Sequence, residues 1–145
     1  MTGITKKITC IAASILMISA ASSASAEGDD TKALADMKWD QRAPVIAVAP
    51  VWHDTEKDVY GMYVRIKAGA TVPHHTHTFD YHGVVLQGNW VHYYGDDLEE
   101  AHALTLGDYG FQAGTEVHTD GCAGPEDCIF YITIMGTPDN IPYTN

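Results

Sequence analysis

Positive charge is scarce in this chain: eight Lys and Arg stand against nineteen Asp and Glu among 145 residues, a net charge of −11 with histidine neutral. So acidic a chain repels polyanions, which excludes nucleic acid and anionic lipid surfaces as partners and leaves metal cations and neutral or cationic small molecules open. Much of that charge also serves solubility. Long apolar runs are equally few. After residue 20 none approaches the roughly 18 residues that a bilayer-spanning helix needs, so no membrane insertion is expected. Helical periodicity is almost missing, and neither an internal repeat nor a low-complexity linker interrupts the chain.

Cysteine is scarce too, with three in all. Cys10 falls inside an N-terminal segment with the marks of an export signal: Lys6 and Lys7, an apolar core over 8–20, and the small-residue motif Ala24-Ser25-Ala26. The apolar core is too short and too rich in Ser and Thr to span a membrane, and Cys10 sits too early in it to be a lipid-attachment site. Cleavage after Ala26 is expected, giving a periplasmic or secreted protein. Removing 26 of 145 residues leaves 119, with six basic and nineteen acidic side chains and a net charge of −13. One domain of that length buries a core without needing a metal or crosslink. The two remaining cysteines, Cys122 and Cys128, flank a Gly-Pro turn, and in an oxidising compartment such a pair reads as a disulfide that pins a loop. A structural zinc site wants more cysteines, and the C-x-x-C spacing of thiol redox chemistry is missing.

Residues 27–44 read as a polar leader or arm. From residue 45 the chain divides into short β-rich runs, over 45–52, 59–67, 83–87, 89–94, 101–106, 109–113, 116–119 and 129–135, separated by turns rich in Gly, Asn and Asp. Eight such strands at this density predict an all-β sandwich or barrel. Alternation directs Met62, Val64 and Ile66 to the core and Tyr63, Arg65 and Lys67 away from it. The same rule places Trp90, His92 and Tyr94 on one side of their strand, either as the aromatic wall of a cavity or as an outer face, for instance the interface of a homodimer.

The densest chemistry lies between Gly69 and Gly88, where His74, His75, His77 and His82 fall within nine residues. Imidazole is the commonest protein ligand for divalent transition metals, and side chains at i and i+2 of an extended segment point the same way. His75 and His77 have that spacing, so both can reach one ion. His118 follows a second glycine-bounded strand and is the natural third ligand. A solvated His-rich loop that picks up metal adventitiously is the alternative; the flanking glycines and strands weigh against it. His53, His92 and His102 read as ordinary surface or core residues.

These residues resemble the two motifs of the cupins, small β-barrel proteins whose first motif approximates G-x5-H-x-H-x3-4-E-x6-G and whose second approximates G-x5-P-x-G-x2-H-x3-N. Gly69, His75, His77 and Gly88 stand in register with the first, Gly107 and His118 with the second. The likeness covers about 45–135 and is greatest to small single-domain bacterial cupins. It implies a double-stranded β-helix, or jelly-roll barrel, over 45–145, with one divalent metal ion such as Zn, Fe, Mn or Ni, and a small-molecule ligand. The departures are specific. Tyr81 stands where the family has its glutamate ligand, with His82 next to it, and Ala113, Thr115 and Cys122 replace the proline, glycine and asparagine of the second motif.

Three histidines without the carboxylate leave a metal's positive charge uncompensated, which strengthens it as a Lewis acid. Tyr81 would bind as phenolate, donate a hydrogen bond within the site, or only pack. His82 alternates away from His75 and His77 and needs a bulge to become a fourth ligand. Glu116, two residues from His118, is a candidate orienter or base; with Tyr81 it completes the catalytic nominees. The sequence thus suggests an exported metal-dependent enzyme of dioxygenase, isomerase or lyase type on a small chelating substrate, or alternatively a non-catalytic metal- or ligand-binding module.

Overall fold

In a computed structural model of the protein, residues 31–94 and 100–144 are described. The expected export signal lies outside them. A short 3-10 turn at Leu34–Asp36 precedes eleven strands: β1 Asp40–Ala43, β2 Ile46–Asp54, β3 Val59–Ile66, β4 His75–Thr76, β5 Tyr81–Gln87, β6 Asn89–Tyr94, β7 Glu100–Leu104, β8 Tyr109–Gln112, β9 Thr119–Ala123, β10 Cys128–Ile134 and β11 Ile141–Pro142. They form a six-stranded sheet in the order β1-β2-β3-β10-β5-β8, a three-stranded sheet β7-β6-β9 and the small pair β11-β4. Every pairing is antiparallel, and the molecule is a jelly-roll barrel. Strand β1 lies inside the segment read as a leader, because its residues pair with β2 through Asp40 and Val48.

The sheets close over Met62, Ile66, Tyr81, Val85, Trp90, Phe130, Ile132 and Ile134, all buried. Strand β10 lies between β3 and β5 and alternates only weakly between buried and half-buried side chains. The expected inward side of β3 holds: Met62 and Ile66 are buried and Val64 packs against the core. The face shared by Trp90 and His92 also points inward. Trp90 stacks on Phe130 with ring centroids 4.5 Å apart and an interplanar angle of 11°, an apolar contact that ties the three-stranded sheet to the six-stranded one.

Two features hold the histidine-bearing segments against each other. Gly88 turns between β5 and β6 with φ of +79°, and a Cβ there would sit 2.9 Å from Cys128 Sγ, so only glycine suits both the backbone and the space. Cys122 and Cys128 form a disulfide, joining the end of β9 to the start of β10 and so one sheet to the other. Among the described residues no helix is long and apolar enough to cross a membrane.

Candidate metal centre

The segment ahead of β5 runs antiparallel to the one leading into β9. Val72 donates its N–H to the Asp120 carbonyl at 2.7 Å and His77 to the Gly114 carbonyl at 2.7 Å. Between them His75 and His118 exchange both backbone hydrogen bonds, each 3.0 Å. Residues paired in this way project their side chains to the same face, so His118 arrives beside His75, with ring centroids 4.2 Å apart. His77, two residues on, joins them at 5.0 Å from His75 and 5.1 Å from His118. One ring nitrogen of each histidine lies within 4.8 Å of the other two.

The ring orientations are set by backbone carbonyls. Nδ1 of His75 donates to the Pro73 carbonyl at 2.8 Å, Nδ1 of His118 to the Glu116 carbonyl at 3.1 Å, and Nδ1 of His77 to the Asp139 carbonyl. A carbonyl only accepts, so each Nδ1 carries a proton and each neutral ring presents its Nε2 lone pair. Burial works in the same direction. His118 is fully buried, and the loss of solvation pulls its imidazolium down to about 4; burial likewise lowers His77. Neutral imidazole at neutral pH is the form that ligates.

Tyr81 sits 4% exposed on the inner face of β5, its hydroxyl 3.5 Å from His118 Nε2. Burial, reinforced by the charge of Asp120, raises its phenol well above the ordinary value, so in the metal-free protein it is a neutral hydroxyl. His82 stands apart from the three histidines, on the side that alternation gives it. Strand β5 keeps strict alternation with no bulge at this point, and His82 lies on the outer face, where its Nδ1 meets the Tyr109 hydroxyl at 2.6 Å. It does not reach the cluster. The strand expected over 116–119 is corrected by the structure: Glu116 lies in the turn after Ala113, its side chain is exposed, and its carbonyl orients His118. His74, His53 and His102 are exposed.

Three contributors escaped the sequence. Asp120, 6% exposed, faces the cluster from β9; its Oδ2 is 3.7 Å from His75 Nε2 and 3.8 Å from His118 Nε2. Its Oδ1 accepts hydrogen bonds from Trp90 Nε1 and His92 Nδ1, each 2.8 Å. Burial works against the Asp120 carboxylate, but the His92 hydrogen bond and the surrounding imidazoles outweigh it and hold the group below its usual value. His92 is buried and shows the mirror effect: burial lowers it, while the hydrogen bonds and charge of Asp120 and the contact with Gln112 bring it above its usual value. The third contributor is the C-terminal segment. Strand β11 pairs Pro142 with His75, and the Asp139 carboxylate takes the Thr78 N–H and hydroxyl, so the tail clamps the histidine loop.

The family model for the ChrR cupin-like domain matches residues 27–136. The chain belongs to this cupin family. Similar solved structures span enzymes and regulators. KdgF from a Halomonas species is 21% identical, with 74% of this chain and 94% of that one covered at a TM-score of 0.61. The complex of SigE with the anti-sigma ChrR from Rhodobacter sphaeroides is 22% identical, covering 70% of this chain and 50% of that one at 0.59. The polyketide cyclase RemF from Streptomyces resistomycificus is 16% identical, covering 81% and 87% at 0.67. At these identities the likeness is one of fold. No curated protein matches the chain.

Proposed function

We propose that this cupin acts outside the cytoplasm and holds one divalent transition metal through Nε2 of His75, His77 and His118, to bind and transform a small, oxygen-bearing, chelating substrate. The observation that carries the reading is the shared tautomer: three separate backbone carbonyls commit three Nδ1 protons, leaving three Nε2 lone pairs converging in one buried place. Imidazole sets of this kind suit Zn, Fe or Ni, and Mn less strongly. Such an ion, when bound, supplies Lewis acidity, and iron would add chemistry with dioxygen. His77 is the least buried of the three, which makes its side the approach for a ligand. Tyr81 offers a hydroxyl to that ligand. The reaction classes that fit are dioxygenase, isomerase and lyase. The disulfide between Cys122 and Cys128 is compatible with the exported location.

A non-catalytic binding module is the second reading. It is favoured by the outward turn of Glu116, which leaves Tyr81 as the remaining nominee for proton transfer. Release of a chemically unchanged small ligand from metal-loaded protein would support it, and a converted product would support catalysis.

Elemental analysis of protein purified from its native compartment tests the metal site. About one equivalent of a transition metal is expected, lost in the His75→Ala/His77→Ala double variant and retained in His82→Ala. Near-equimolar metal in the double variant after chelator treatment and dialysis overturns the site.

A further inference from the structure

The first cupin motif has Tyr81 where a carboxylate ligand is expected, yet a carboxylate does face the three histidines, from a different strand. Asp120 follows His118 by two residues, and at i and i+2 of an extended segment both side chains point inward. The two oxygens of Asp120 are used differently. Oδ1 accepts from Trp90 Nε1 and His92 Nδ1. His92 is fixed in turn from its other ring nitrogen by Gln112 Oε1 at 2.6 Å, while Gln112 Nε2 donates to the Ala113 carbonyl at 2.8 Å. Oδ2 has no hydrogen-bond donor among the described residues and points at Nε2 of His75 and His118, at 3.7 and 3.8 Å.

An outer carboxylate that merely orients a metal-bound histidine accepts the proton on the nitrogen remote from the metal. That role is closed to Asp120, because the Nδ1 protons of His75 and His118 are already given to Pro73 and Glu116 carbonyls. Asp120 lies on the Nε2 side instead. In their neutral tautomers the two rings turn lone pairs toward an oxygen that also carries only lone pairs, an arrangement of acceptors that a cation among them resolves. The spacing to His75 and His118 fits: two donor atoms each about 2.1 Å from one ion are roughly 3 to 4 Å apart.

We infer that Asp120 supplies the carboxylate of this metal site through Oδ2, replacing from strand β9 the ligand that Tyr81 displaces on strand β5. The inference rests on the three-histidine site proposed above. It gives the centre three imidazoles and one carboxylate, with Trp90 and His92 as positioning residues that hold Oδ1 and thereby aim Oδ2. The substitution of Tyr for the family's glutamate then changes where the negative charge stands and leaves its amount unchanged.

The test is Asp120→Asn. An asparagine Oδ1 keeps the donors of Trp90 and His92 satisfied, which turns the amide NH2 toward the histidines, where it cannot ligate. Titration of metal-free protein with Zn2+ and Co2+ should show affinity weaker by about 100-fold or more, with a changed visible absorption spectrum of the Co2+ form. Wild-type-like affinity, within about threefold, together with an unchanged Co2+ spectrum overturns the inference and leaves the three-histidine site standing. Failure of the parent protein to bind either metal overturns both. A crystal structure of the zinc-loaded parent is independent of the variant's folding. Oδ2 within about 2.2 Å of the ion is the expected result, and a water in that position with Oδ2 beyond about 3 Å overturns it.

Discussion

Replacing Tyr81 with phenylalanine removes a single hydroxyl from the cluster and keeps the ring that packs edge-on against His77, with centroids 5.1 Å apart. Its hydroxyl has one hydrogen bond given to it by the structure, to His118 Nε2 at 3.5 Å, the outer limit of such a contact. Losing so long a bond, while sparing the burial of a polar group, should alter the stability of metal-free protein by no more than about 1 kcal/mol in either direction. For a domain of this size that is about 4 °C in thermal midpoint. Metal loading should separate the variants further. If the phenol helps hold the ion or its ligand, Tyr81→Phe weakens zinc binding by about tenfold, equivalent to about 1.4 kcal/mol less stabilisation at a fixed excess of zinc. Chelator competition gives the affinity, and thermal scans with and without zinc give the linked shift. Zinc affinity within twofold of the parent, with unchanged ligand exchange and any turnover intact, refutes the functional role and reduces Tyr81 to a packing residue.

Two further outcomes follow from the same geometry. His118 is held at about 4 when folded, against an ordinary 6.5, so as pH falls the unfolded chain takes up this proton first. Metal-free protein should therefore lose stability from about pH 6.5 down to about pH 4, by at most about 3 kcal/mol. His77, also lowered, adds to the loss, and His92, raised in the fold, offsets part of it. Urea midpoints that stay level or rise from pH 7 to pH 4.5 contradict this. Reducing the Cys122–Cys128 disulfide, whose partners are six residues apart, should cost about 2 kcal/mol by the loop-entropy relation. Urea denaturation with and without reductant measures the cost, and two free thiols in denatured, unreduced protein from the native compartment would show that the bond does not form.

Much of this architecture is carried by local pattern. The strand runs are visible because turn residues bound each one, and Gly69, Gly88 and Gly107 of the two motifs all adopt positive φ, at +70°, +79° and +89°. Alternation alone separates Tyr81, inside, from His82, outside, and the i, i+2 spacing alone puts His75 and His77 together. Alternation does not carry across a turn: the run over 116–119 looks like a strand in sequence, yet β9 begins only at Thr119 and Glu116 lies outside it.

The rest of the site depends on which segments lie opposite one another. A period of two tells which side of its own strand a residue occupies, and nothing about what faces that side. Asp120 reads in sequence as one acid among nineteen. It becomes a buried group beside two imidazoles only because the residues around His118 pair with those around His75, and because β6 brings Trp90 and His92 against it. Asp139, 62 residues from His77, orients that ring through a carbonyl, and every residue of the chain has one. No side-chain pattern advertises such a partner. The sequence by itself determined most of the strands, their inward faces and the pairing of His75 with His77; the tertiary structure decided the approach of His118, the position of Asp120, the tautomers and the clamp, because those arise from pairings between residues distant along the chain.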